Sequence, residues 1–217
     1  METTMNAERS RKTRKTMIAT LGGGVAGFLG AMGMLTLADS GLLGTLDASR
    51  EIALLVAMIY LVTGVGLAVG LAAPGFGARF LNVEDADELR EQKAMLTASV
   101  VGMIALGLAL VLAALPAPVG PVPAGAALAG VIALVIVSWI AGIRQRRHID
   151  ELFRSLSRES TALGFYLLFF VGGGWALLAH LGYAAAPQPL DWLTMFAALL
   201  LAATFITCAR RGMMALR

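Results

Sequence analysis

The chain has 217 residues, of which 58% are hydrophobic and 14% charged, with a mean hydropathy of +0.79. That balance excludes a soluble domain, and a single cysteine, Cys208, excludes an intrachain disulfide. The net charge of +3 does not indicate nucleic acid, because the basic tract "RSRKTRK" at 9–15 abuts an apolar run and has no interleaved aromatics.

A bilayer core ~30 Å thick is crossed by about 20 mainly apolar residues in an α-helix. Uncharged runs at 16–38, 52–78, 94–143, 160–190 and 192–209 reach or approach that length. The third is too long for one crossing. Its segment "LPAPVGPVPAG", 115–125, carries four prolines, which lack the N–H a helix needs and push the preceding residue out of helical geometry. The expectation is an all-α polytopic membrane bundle of six transmembrane helices near 17–38, 52–73, 94–115, 124–143, 160–182 and 192–209. Basic tails at 1–16 and 210–217 flank it. Continuous rather than alternating apolar runs argue against a barrel.

Six spans would place the N-terminal tail, the connectors 79–93 and 144–159, and the C-terminal tail on one side. Sixteen of the 17 Lys and Arg fall there, with Arg50 alone opposite. The positive-inside bias then predicts cytoplasmic N- and C-termini in a bacterial inner membrane. Arginine outnumbers lysine fourteen to three, in keeping with a GC-rich bacterium. A signal-peptide reading of the first span, with "TLA" at 36–38 as its cleavage site, is set aside: the apolar stretch exceeds the ~7 to 15 residues of a signal core.

The predicted span interiors contain no ionisable residue, so no ion or proton path is expected. His180, with Tyr183 and Trp192, reads as an interfacial aromatic belt, and His148 as a solvated surface side chain. Cys208 and the eleven methionines read as packing. No catalytic residue, cofactor or metal ligand is assigned. Small residues at helical spacing nominate Gly23, Gly27 and Gly30 in the first span and Gly66 and Gly70 in the second as helix-packing positions, with a homo-oligomer face as the alternative use. Gly172 to Gly174 could let the fifth span bend or unwind. Phe165, Tyr166, Phe169 and Phe170 beside it could shape a lipid or quinone groove, although simple packing explains them too.

The connectors carry opposite charge, net −2 for 79–93 and net +2 for 144–159. In the first, Asn82 is placed to cap a short helix leading into the third span, with Asp85 three residues on. In the second, Ile149, Leu152, Phe153 and Leu156 follow the i, i+3, i+4, i+7 pattern of a separate amphipathic interfacial helix. Glu84, Asp87, Glu88 and Glu91 are expected to meet Arg144, Arg146, Arg147 or the basic tail, forming a cytoplasmic docking or packing surface. Both connectors contain Asp-Glu-Leu, a weak sign of duplication.

The hydrolase elbow, the zinc-protease helix and the phosphate-binding loop are missing, as are the metal-binding array of CDP-alcohol phosphotransferases and the histidine of lipid phosphatases. An enzyme is therefore not expected. The reading is a non-catalytic integral inner-membrane protein, an accessory, assembly or scaffold partner of a membrane complex. A transporter or channel for a small neutral or hydrophobic solute is the alternative. A membrane enzyme would instead need His180, Asp191, Asp39 and Ser40 to converge on the outer face. The partners foreseen are the lipid bilayer and a membrane protein or second copy, not nucleic acid.

Overall fold

The computed structural model describes residues 46–80 and 86–213, together with positions 25, 27, 28, 30, 32, 33, 36, 40 and 41, and gives the backbone alone at 79 and 80. The continuously described helices are α1 (Ala48–Ala72), α2 (Pro74–Phe80), α3 (Ala86–Glu91), α4 (Lys93–Ala114), α5 (Ala124–Arg146), α6 (Glu151–His180) and α7 (Pro189–Arg210). Of these, α1, α4, α5, α6 and α7 make five helices long and apolar enough to cross a membrane, consistent with a multi-pass membrane protein. The predicted first span lies largely outside the described residues, but its described positions 25, 27, 28, 30, 32, 33 and 36 are helical.

Polar caps set the helix starts. The Asp47 carboxylate accepts from the Arg50 N–H at 2.9 Å, so α1 begins four residues before the predicted apolar boundary at 52. Asp150 accepts from the Phe153 N–H at 2.8 Å and starts α6. Proline opens α2 and α7, where its missing N–H costs nothing. Glycine sets two of the ends. Gly182 at φ 80° lets the Tyr183 N–H reach the Leu178 carbonyl at 2.9 Å. Gly212 at φ 69° does the same for Met213 and Cys208 at 3.0 Å. In both, the left-handed residue turns the chain back to satisfy the last carbonyls.

The second connector does not form the separate helix expected of it. Arg144, Gln145 and Arg146 finish α5, and residues 151–159 are the first turns of α6, a single helix of 30 residues. Nothing between Asp150 and Gly164 breaks the helix, and Glu151 supports it through an i, i+3 pair with Arg154 at 3.1 Å. The amphipathic pattern is genuine, but the end of the uncharged run at 160 is not a helix boundary. Neither does α6 unwind at Gly172–Gly174. It runs through them, and a Cβ at Gly172 would stand 2.9 Å from the Trp192 ring, so that glycine is a seat for the tryptophan.

The long helices pack in the spatial order α5, α4, α1, α7, α6. One buried cluster joins Ala53, Leu54, Ala114 and Leu115, with Leu190 and Val122 against it. A second joins Val56, Ala57, Tyr60 and Leu110, with Ala197 and Leu201 against it. The Tyr60 hydroxyl donates to the Ala197 carbonyl at 2.9 Å, tying α1 to α7. Alanine dominates the fully buried positions, as close helix approach requires where lipid removes the hydrophobic drive for association. The outer faces of α5 and α6 carry exposed Trp139, Phe165, Phe169 and Phe170, apolar surface suited to acyl chains.

Candidate functional site

Charge collects at one end of the bundle. Here α3 lies against α2 and the start of α4, held by Leu89, which is 1% exposed and the one apolar long side chain in an acidic helix. Asp87 and Glu88 occupy its first turn, where the helix dipole favours carboxylates. Arg90 pairs with Asp87 at 2.5 Å, and Gln92 Nε2 donates to Glu88 at 3.0 Å.

The proline turn sends α5 back along α4, bringing its basic end beside α3. The two helices are joined there by Gln145 Nε2, which donates to the Ser99 hydroxyl at 2.7 Å. Above this link opens a groove of about 830 Å³. Its rim holds Arg90, Glu91, Lys93, Arg144, Arg147 and His148, and its floor is Ala98, Val101, Val137 and Ala141. Of the residues singled out for docking, Glu91, Arg144 and Arg147 therefore share one groove. Asp87 and Glu88 bond within their own segment, Arg146 lines a different groove, and Glu84 lies outside the described residues. Asn82 and Asp85 also lie outside them.

The same end is closed by a contact that sequence reasoning missed. Arg211, the residue capping α7, donates to both oxygens of Glu159 and, at 2.8 Å, to the Ser155 hydroxyl. These hydrogen bonds hold the Glu159 carboxyl below its usual pKa. A lowered carboxylate pKa stabilises the folded state above the ordinary glutamate range, and that contribution fades as pH falls through the lowered value. Glu159→Gln should accordingly lower the thermal midpoint slightly at neutral pH, and the difference from wild type should close as the pH falls below the ordinary glutamate range. A midpoint difference constant across that titration would refute the assignment.

Gly30 approaches α1, since a Cβ there would stand 3.3 Å from both Met58 and Val62. Gly70 backs onto Gly77 of α2, where an added Cβ would lie 2.8 Å from the Gly70 Cα. A Cβ at Gly27 or Gly66 would meet no described atom within 4 Å, and Gly23 lies outside the described residues. Close interhelical approaches also fall at Gly64 and Gly107 between α1 and α4, which were not singled out, and at Gly130 against Leu112.

At the opposite end Asp191 is already engaged. Its carboxylate accepts from the Ser49 hydroxyl at 2.5 Å and from the Gln188 N–H at 2.7 Å. His180 is exposed at the end of α6, and Asp39 lies outside the described residues. Trp175 Nε1 donates to the Ala185 carbonyl at 2.8 Å, fixing the loop between α6 and α7.

In comparisons with known proteins, the chain matches no family model, no curated protein and no solved structure. Fold and site together describe a helical chain, consistent with a multi-pass membrane protein, with a charged groove at one end.

Proposed function

We propose that this is a six-span protein of a bacterial inner membrane with both termini cytoplasmic, acting without catalysis as an accessory or scaffold partner in a membrane complex. The observation that carries the reading is the groove between α4 and α5, whose rim sets Glu91 beside Arg144 and Arg147 over an apolar floor. A mixed-charge rim around an apolar floor is the anatomy of a protein docking surface. It also supports pairing of Glu91 of the acidic connector with Arg144 or Arg147, because an acidic segment is otherwise repelled by the anionic cytoplasmic leaflet.

Purification in mild detergent should yield a membrane protein at fixed stoichiometry. Reversing Arg144 and Arg147 to glutamate should release it, and reversing Glu91 to lysine in the same chain should restore it in part. A chain that purifies alone from its native membrane and carries a neutral solute across proteoliposomes would replace the scaffold reading with a transporter. Orientation is tested separately. In a Cys208→Ser background, a cysteine at 88 should be shielded from an impermeant thiol reagent in intact spheroplasts and labelled after lysis.

A further inference from the structure

Helices α5 and α6 are consecutive and joined through Arg147, His148, Ile149 and Asp150 alone, yet they have no extended packed interface with each other. One rests on α4 and the other on α7. Held together at the charged end and apart along their length, they form a wedge. At its apex lies a groove of about 730 Å³, distinct from the α4–α5 groove.

From this geometry we propose that the α5–α6 groove binds the headgroup of an anionic phospholipid. Its lining follows one stripe of α6. Arg154, Ser157, Arg158 and Thr161 come first, then Phe165 and Tyr166, with Arg146 facing them from the end of α5. The eleven-residue step from Arg154 to Phe165 rises about 16 Å along a helix, so charge, hydroxyl and aromatic side chains succeed one another on the scale of a membrane interface.

The neighbouring carboxylates do not neutralise the apex. Glu151 pairs with Arg154, and Glu159 is engaged by Arg211. Among the described residues, Arg146 and Arg158 have no carboxylate partner. Two free guanidinium groups beside the Ser157 hydroxyl suit a phosphate diester, whose oxygens accept charge-assisted hydrogen bonds. Basic pockets between membrane helices select such headgroups. Phe165 and Tyr166, exposed at 64% and 58%, give the acyl chains a wall that inorganic phosphate would leave uncovered. This proposal does not rest on the docking partner above and survives its failure.

The test is native mass spectrometry of the full chain, delipidated in neutral detergent and titrated with dioleoylphosphatidylglycerol or dioleoylphosphatidylcholine. The phosphatidylglycerol should fill one preferred site. Arg146→Gln with Arg158→Gln should weaken it about thirtyfold while leaving phosphatidylcholine binding unchanged. Arg146→Lys with Arg158→Lys keeps the charge and should retain most of the preference, which separates lost recognition from misfolding. Arg144→Gln with Arg147→Gln, in the other groove, should change little. Equal affinity for the two lipids, or an unchanged glutamine variant, would overturn the proposal. So would displacement of the lipid by equimolar inorganic phosphate, which would assign the groove to a free anion.

Discussion

Gly107→Ala should destabilise the bundle by about 1–3 kcal/mol, the range for an extra methyl forced into a packed interface, and Gly107→Leu should keep α1 and α4 from docking. A Cβ at Gly107 would fall 2.8 Å from Leu61 Cγ and 3.1 Å from the Ala57 carbonyl oxygen. Leu61 could turn aside, but the carbonyl belongs to the α1 backbone and moves only with the helix. Gly64 mirrors the arrangement from α1, where a Cβ would meet Ile104 Cγ1 at 2.9 Å. Each helix thus receives a large side chain of its neighbour into a position without one, in an antiparallel register that also sets Leu54 against Ala114. Gly66→Ala supplies the control. No described atom lies within 4 Å of its added methyl, and alanine is the better helix former by up to about 1 kcal/mol, so stability should hold or rise. Leu61→Ala should recover part of the loss in Gly107→Ala by vacating the contested volume. Reversible unfolding in mixed micelles reads all four, and equal losses at positions 107 and 66 would contradict the packing described.

Those two glycines mark the boundary of what sequence can reveal. Charge-free runs located the long helices because lipid tolerates few charged side chains, and the prolines at 116–123 divided α4 from α5 for a reason visible in any single strand of sequence. Small-residue spacing flagged Gly66 and passed over Gly64. The two are about 200° apart around the helix, and only the neighbour's position decides which faces it. Gly182 and Gly212 were readable as helix stops, each following an apolar helix directly, so the predicted end at 182 overran a signal that was present. The charged start of α6 was misread because Glu159 ends the uncharged run without ending the helix. The α4–α5 groove was half legible: a short turn forces antiparallel neighbours, which brings Glu91 toward Arg144. The Arg211–Glu159 contact spans 52 residues and depends on α7 returning beside α6, which no local pattern encodes.

Asp191→Ala should cost about 2–4 kcal/mol, through two losses at once. The carboxylate caps the start of α7 by accepting from the Gln188 N–H, and it accepts from Ser49, a hydroxyl 6% exposed at the start of α1. Removing the acid leaves a buried donor unsatisfied and frays the helix whose adjacent Leu190 packs on the Ala53–Leu115 cluster. Asp191→Asn keeps one carbonyl acceptor and should cost about half as much. Ser49→Ala should be milder in the Asp191→Ala background than alone, since the donor it removes has already lost its partner, with a coupling of about 1–2 kcal/mol. The same variants bear on chemistry. A carboxylate held for catalysis is commonly strained, and its removal tends to stabilise the fold at the expense of activity. Asp191 bridges two helix starts and satisfies a buried hydroxyl, so its loss should destabilise. A rise in the unfolding midpoint of Asp191→Ala would instead mark the carboxylate as strained and return it to consideration as a reactive group.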